Sequence, residues 1–126
     1  MRVLIDTHVL LWGLQADPRL SRRAGDILSA SDVWISVVSL WEIVTKVQIG
    51  KLNLPKPVIA YLTSRLAANG VSILPLTLNH VTRLEEIALH HRDPFDRILV
   101  AQCLEENLSL ITNDPFFKHY PVQVIW

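Results

Sequence analysis

A single cysteine, Cys103, in 126 residues excludes an internal disulfide framework and any cysteine-rich zinc module, and it fits a reducing compartment. Its place between Gln102 and Leu104, in a helix-like run, reads as core filler. Net charge is absent too. Twelve Lys and Arg cancel twelve Asp and Glu, which excludes a uniformly basic phosphate-wrapping surface and an acidic solvating tail, while a local basic patch stays compatible. No long apolar run is present at the start: MRVLIDTHVL reaches Asp6 after three apolar residues, too soon for a signal peptide or a membrane span. The expectation is a cytoplasmic protein with no membrane contact. There are no repeats, low-complexity tracts or linkers, and with half its residues hydrophobic the chain suits one domain over 1–126 with a sizeable core.

What is present is an alternation. Short apolar runs at 3–5 (VLI), 33–37 (VWISV), 71–74 (VSIL), 108–111 (LSLI) and 122–125 (VQVI) are separated by helical patterns, the signature of an α/β domain with a mostly parallel sheet of about five strands flanked by helices. The first and fourth runs are apolar through most of their length and suit buried parallel strands, while the last alternates more and suits an edge. Ser21 is placed to cap RRAGDILSA, and Ser39 to cap LWEIVTKVQI, with Glu42 at capping-box spacing from Ser39. Helices are also predicted from Pro57 to the Asn69-Gly70 stop, from Leu78 to Leu89, and from Asp93 to Asn107; Gly50–Pro57 is predicted to be an exposed loop.

The acidic residues fall at one predicted rim. Asp6 ends the first strand, Glu42 lies early in the helix after the second, Asp93 and Asp96 open the helix that feeds the fourth, and Asp114 follows that strand by three residues. In a parallel sheet the strand ends and the neighbouring helix starts share one crevice, so side chains distant in sequence can converge there. Carboxylates crowded in this way need a cation or a shared proton. An all-oxygen donor set suits Mg²⁺ or Mn²⁺ better than zinc, because His90 and His91 are adjacent and no further histidine completes a zinc pattern. Such a centre polarises a phosphodiester and activates a water for in-line attack. Thr7 and Thr112 stand beside the acids and can orient a water or phosphate oxygen, and Asn113 can donate to one. Each element also has a plainer reading: Asp6 as a helix cap, Thr7 as a helix cap, Asp93 and Asp96 as a double cap, Asp114 as the cap of a Pro115–His119 turn, and Trp12, Trp34 and Trp41 as core, although Trp12 and Trp41 also suit a groove or dimer face.

Two other α/β classes fit less well. A phospho-accepting receiver wants paired acids after the first strand, and a haloacid-dehalogenase-type phosphatase wants a second Asp at position 8, which is His8. The stretches VLIDTHVLLW (3–12), ISVVSLWEI (35–43), HRDPFDRILVAQ (91–102) and LITNDPFF (110–117) resemble those of PIN-domain proteins, specifically VapC-type toxins of toxin–antitoxin pairs, and the resemblance covers essentially the whole chain. It implies a Mg²⁺- or Mn²⁺-dependent endoribonuclease, silenced by a cognate antitoxin and assembled as a homodimer. Carried over by motif, Asp6, Glu42, Asp96 and Asp114 match the family acids, and Asp93 matches a subgroup. Asp6, Asp96 and Asp114 would be the principal metal ligands, Glu42 a ligand or water-orienting base, and Asp93 a supporting group, with Thr112 the small hydroxyl residue before the last acid. Lys46, Lys51, Arg92 and Arg97 are candidate RNA-phosphate contacts from their neighbourhood, Arg97 being equally placed to pair with an acid. The competing reading is a PIN-like regulatory module that binds RNA or a partner without cutting it.

Overall fold

The computed structural model describes residues 1–89 and 93–126; His90, His91 and Arg92, the last a candidate phosphate contact, lie outside the described residues. The elements run β1 (Arg2–Ile5), α1 (Thr7–Leu14), α2 (Arg22–Ser29), β2 (Asp32–Ser36), α3 (Val37–Gln48), α4 (Val58–Ala68), β3 (Ser72–Leu74), α5 (Leu78–Glu85), α6 (Pro94–Glu106), β4 (Ser109–Ile111), a 3₁₀ turn (Pro115–His119) and β5 (Val124–Ile125). The five strands form one sheet in the order β3-β2-β1-β4-β5. All pairings are parallel, with Ile5 opposite both Ile35 and Ile111.

Strand alternation explains the two cores. Along β1, Val3 and Ile5 join the cluster built with Val9, Leu40, Ile43, Leu62 and Leu66, whereas Leu4 joins Leu99, Val100, Cys103, Leu110 and Phe117. Successive side chains of a strand face opposite sides, so a central strand covered by helices on both faces must be apolar throughout. The chain builds outward from β1 to β2 and β3 on one side, and to β4 and β5 on the other. The switch in direction therefore falls between β1 and β4, where parallel sheets open a crevice at their carboxyl ends.

Several local expectations are corrected. The α3 helix starts at Val37 with Ser36 as its cap, its hydroxyl accepting from the Val38 amide at 3.1 Å. Ser39 is instead buried inside the helix, and its hydroxyl has no partner among the described residues. The second strand passes into the helix without a loop, and the β-branched pair Val37-Val38 hid that boundary. Thr7 does not cap α1 either: of the two cap readings it is that of Asp6 which holds, its carboxylate accepting from the Val9 amide at 2.8 Å. Helix α5 ends at Glu85, short of Leu89, and its start is a capping box in which His80 plays the part usually taken by Glu or Gln. Within the loop from Gly50, Leu54 is buried in the core. Trp41 is 62% exposed, so it is not core. Ser21 caps α2 and β5 lies at the sheet edge, both as the sequence suggests.

Candidate active site at the carboxyl end of the sheet

Asp6 leaves the central strand and turns at once into α1, which places its carboxylate at the switch point, 5% exposed. The chain returns to this point after β4, where the Thr112 hydroxyl donates to Asp6 Oδ2 and accepts from the Asp114 amide at 3.1 Å. One threonine thus fixes both acids. Burial is the largest influence on Asp6 and pushes its pKa above the ordinary carboxylate value; Thr112, the Val9 amide and His8 oppose the rise, and the Asp114 charge adds to it.

On the other side of Asp6, Thr7 donates to Glu42 Oε1 at 2.6 Å, and Lys46 lies 3.3 Å from Glu42 Oε2. With Ser36 as the true cap, Glu42 is free of the capping-box role. Its two oxygens are instead held by a residue of α1 and a cation one turn further along α3. The i,i+4 spacing of Glu42 and Lys46 was a readable signal for this pair. It ties Lys46 to the acidic rim.

The first turn of α6 reaches the same rim through an edge-on contact of Phe95 with Trp41 at 4.9 Å, between the neighbours of Asp96 and Glu42. Asp93 caps α6, accepting from the Phe95 amide at 2.9 Å and the Asp96 amide at 3.5 Å. Asp114 caps the 3₁₀ turn, accepting from the Phe116 amide at 3.0 Å. Asn113 is exposed beside it. Arg97 donates to the Ile87 carbonyl at 3.3 Å, which turns it toward the segment after α5. Lys51 is exposed at the end of α3.

The elements therefore bring Asp6, Glu42 and Asp114 to the carboxyl end of the sheet and pack the first turn of α6, which carries Asp96, beside Trp41, but the carboxylates are not a ready-made cage. Among the described residues, no three His, Cys, Asp or Glu side chains are spaced to hold one ion. Asp6, Glu42, Asp93 and Asp114 each accept from donors of the protein itself. The donors fit Mg²⁺ or Mn²⁺ all the same: they are oxygen throughout, and Mg²⁺ commonly takes only one or two carboxylates and keeps several waters. Asp6 and Asp114 are the pair that can serve. Asp6 in particular is a buried carboxylate raised by desolvation, the condition a bound cation relieves.

Residues 3–123 match the PIN domain family. The chain belongs to the PIN-domain family. A curated relative, Ribonuclease VapC22 of Mycobacterium tuberculosis, is 28% identical over 115 residues, covering 89% of this chain and 86% of that protein. Among solved structures, VapBC2 from Rickettsia felis, bound to a DNA fragment from its promoter, aligns with a TM-score of 0.76 at 16% identity over 99% of this chain and 98% of that one. DNA-bound VapBC from Salmonella typhimurium also gives 0.76, at 15% identity, covering 99% and 97%. FitAcB from Neisseria gonorrhoeae gives 0.67 at 23% identity, covering 100% and 97%. At these identities the structures bear on the fold, and they agree that this chain adopts a PIN fold. Also, no helix among the described residues is long and apolar enough to cross a membrane.

Proposed function

We propose that this PIN domain is a VapC-type toxin: an endoribonuclease dependent on Mg²⁺ or Mn²⁺ that acts on RNA in the cytoplasm as a homodimer and is silenced by a cognate antitoxin. The observation that carries the reading is the bridge from Asp6 through Thr112 to Asp114 at the switch point, with Glu42 held beside it by Thr7. The curated relative named a ribonuclease supports the reaction class. The VapBC structures support an antitoxin as partner.

A divalent cation bound here would neutralise the carboxylates, polarise a phosphodiester and lower the pKa of a water. The chain's own residues have distinct tasks. Asp6, held by two donors, presents fixed oxygens with lone pairs to spare for a ligand. Asp114 would supply the second carboxylate, and Asp96, in the first turn of α6, would act on the ion through its water shell. Glu42, oriented by Thr7 and partly neutralised by Lys46, accepts a proton from the attacking water or holds that water in line. Asp93 keeps the first turn of α6 in place through its cap, and so positions Asp96.

The test is cleavage of single-stranded RNA while Mn²⁺ or Mg²⁺ is titrated from zero, with Asp6→Asn as the control for contaminating nuclease. Activity that rises with metal and vanishes in the variant supports the reading. RNA binding without cleavage at any metal concentration would move the chain to the non-catalytic alternative.

A further inference from the structure

The geometry points to a nucleotide subsite beside the acidic rim, in a hollow of about 210 Å³ between α1, the α1–α2 connection and the carboxyl end of α3, taking one base and its phosphate from single-stranded RNA. This rests on the ribonuclease reading above and says where the strand next to the scissile phosphate lies.

Three features build the hollow. Helix α1 contributes His8, Leu11, Trp12 and Gln15, at the i, i+3, i+4 and i+7 spacing that puts them on one face. The end of α3 contributes two lysines in fixed relation. Gly50, at φ +77°, closes the helix with its amide on the Val47 carbonyl at 3.1 Å, and the Lys51 amide returns to the Lys46 carbonyl at 2.9 Å. That turn returns the Lys51 backbone to Lys46, both of which line the hollow, and glycine is the residue that adopts its positive φ without strain. Arg19 comes from the α1–α2 connection, with its guanidinium 5.2 Å from the Trp12 ring centre.

The chemistry of the walls selects the ligand. Arg19, Lys46 and Lys51 gather three positive charges in a chain of zero net charge. Asp17 pairs with Arg19 at 2.7 Å and Glu42 with Lys46, while the ion pairs among the described residues leave Lys51 out. One surplus positive charge beside an aromatic wall suits a phosphate with a base attached. Trp12 and His8 offer the wall, their rings 5.9 Å apart and tilted by 39°. A planar cation already lies over Trp12, and bases stack on such surfaces with little sequence preference. The hollow also adjoins the rim, since Lys46, which lines it, reaches Glu42, Glu42 accepts from Thr7, and Thr7 follows Asp6. An acidic peptide could satisfy the charge but would leave the aromatic wall unused.

The test measures the affinity of a short single-stranded RNA in EDTA, where no metal-dependent cleavage occurs, for the wild type and for Arg19→Glu, Lys51→Glu and Trp12→Leu. Arg23→Glu on α2 and Lys56→Glu serve as charge controls away from the hollow. The subsite predicts a loss of about tenfold for each of the first three, a shallower salt dependence for the two charge reversals, and little change for the controls. Because Trp12 also packs on Trp126 at 5.7 Å, the two charge reversals decide the matter if Trp12→Leu fails to fold. Equal losses in all the charge reversals, or no measurable RNA binding by the wild type, would overturn the subsite. Metal-dependent cleavage by the same proteins separates the two claims: a wild type that cleaves, with KM unchanged in Arg19→Glu and Lys51→Glu, keeps the ribonuclease and loses the subsite. Absence of cleavage in the wild type counts against the ribonuclease whatever the binding shows.

Discussion

Thr112 donates its hydroxyl hydrogen to Asp6 across 106 positions of sequence, and the same oxygen receives the Asp114 amide. The contact links the segments that leave β4 and β1, on either side of the switch point, so it ties the Asp6 carboxylate to the backbone of Asp114. Replacing Thr112 with Val keeps the shape and removes the donor. A buried carboxylate deprived of a charged hydrogen bond costs about 1.5–3 kcal/mol, and the unfolding midpoint in denaturant should fall accordingly. Supporting groups of this kind typically contribute 10–100-fold in metal affinity or activity, so cleavage should drop by about that much. A Thr112→Val protein as stable and active as the wild type would remove the threonine from the site.

Asp6 carries its charge at a cost. Its pKa is raised in the folded protein, so Asp6 favours folding in acid, and that contribution is lost as pH rises through the folded pKa. At neutral pH in EDTA, Asp6→Asn should therefore unfold at a higher denaturant concentration than the wild type, since Asn keeps the helix cap and sheds the buried charge. The advantage should shrink as pH is lowered toward the ordinary aspartate value of 3.8. A variant less stable than the wild type at neutral pH would contradict the desolvation account.

The start of α3 gives a pair of opposite expectations. Ser36→Ala removes the cap and should cost about 1 kcal/mol. Ser39→Ala removes a buried hydroxyl that has no partner among the described residues, and should be neutral or mildly stabilising. Thermal unfolding of the two variants distinguishes them, and the reverse order would restore Ser39 as the cap.

Cys103 is 2% exposed, and burial pushes its thiol pKa well above the usual range. A thiol held protonated in the core should not react with an aromatic disulfide reagent in the native protein. Reaction should appear only as the protein unfolds. Fast labelling under native conditions would show that α6 opens readily.

The strands, the sheet class and the rim were legible because they rest on short apolar runs and on where the acids fall relative to them. Asp6, Glu42 and Asp114 lie where a parallel sheet requires. What escaped was local hydrogen bonding. The strand-to-helix junction at Ser36 has no loop to announce it, and two β-branched valines read as strand, so the cap was displaced by three residues. The partnership of Thr7 with Glu42 depends on how α1 packs on α3, which no spacing reveals. Trp41 shows the opposite error: an aromatic in an apolar run reads as core, yet the rim holds it in the open against Phe95. The stripe of His8, Leu11, Trp12 and Gln15 was visible in the spacing, but its meaning required Lys46 and Lys51 to arrive from another helix.

The most direct test of the acidic centre is a calorimetric titration of Mn²⁺ into the purified chain and into Asp6→Asn, each shown to be folded. Saturable binding by the wild type and at least a tenfold loss of affinity in the variant are expected. Equal affinity in the two proteins, or no binding to the wild type, would contradict that expectation.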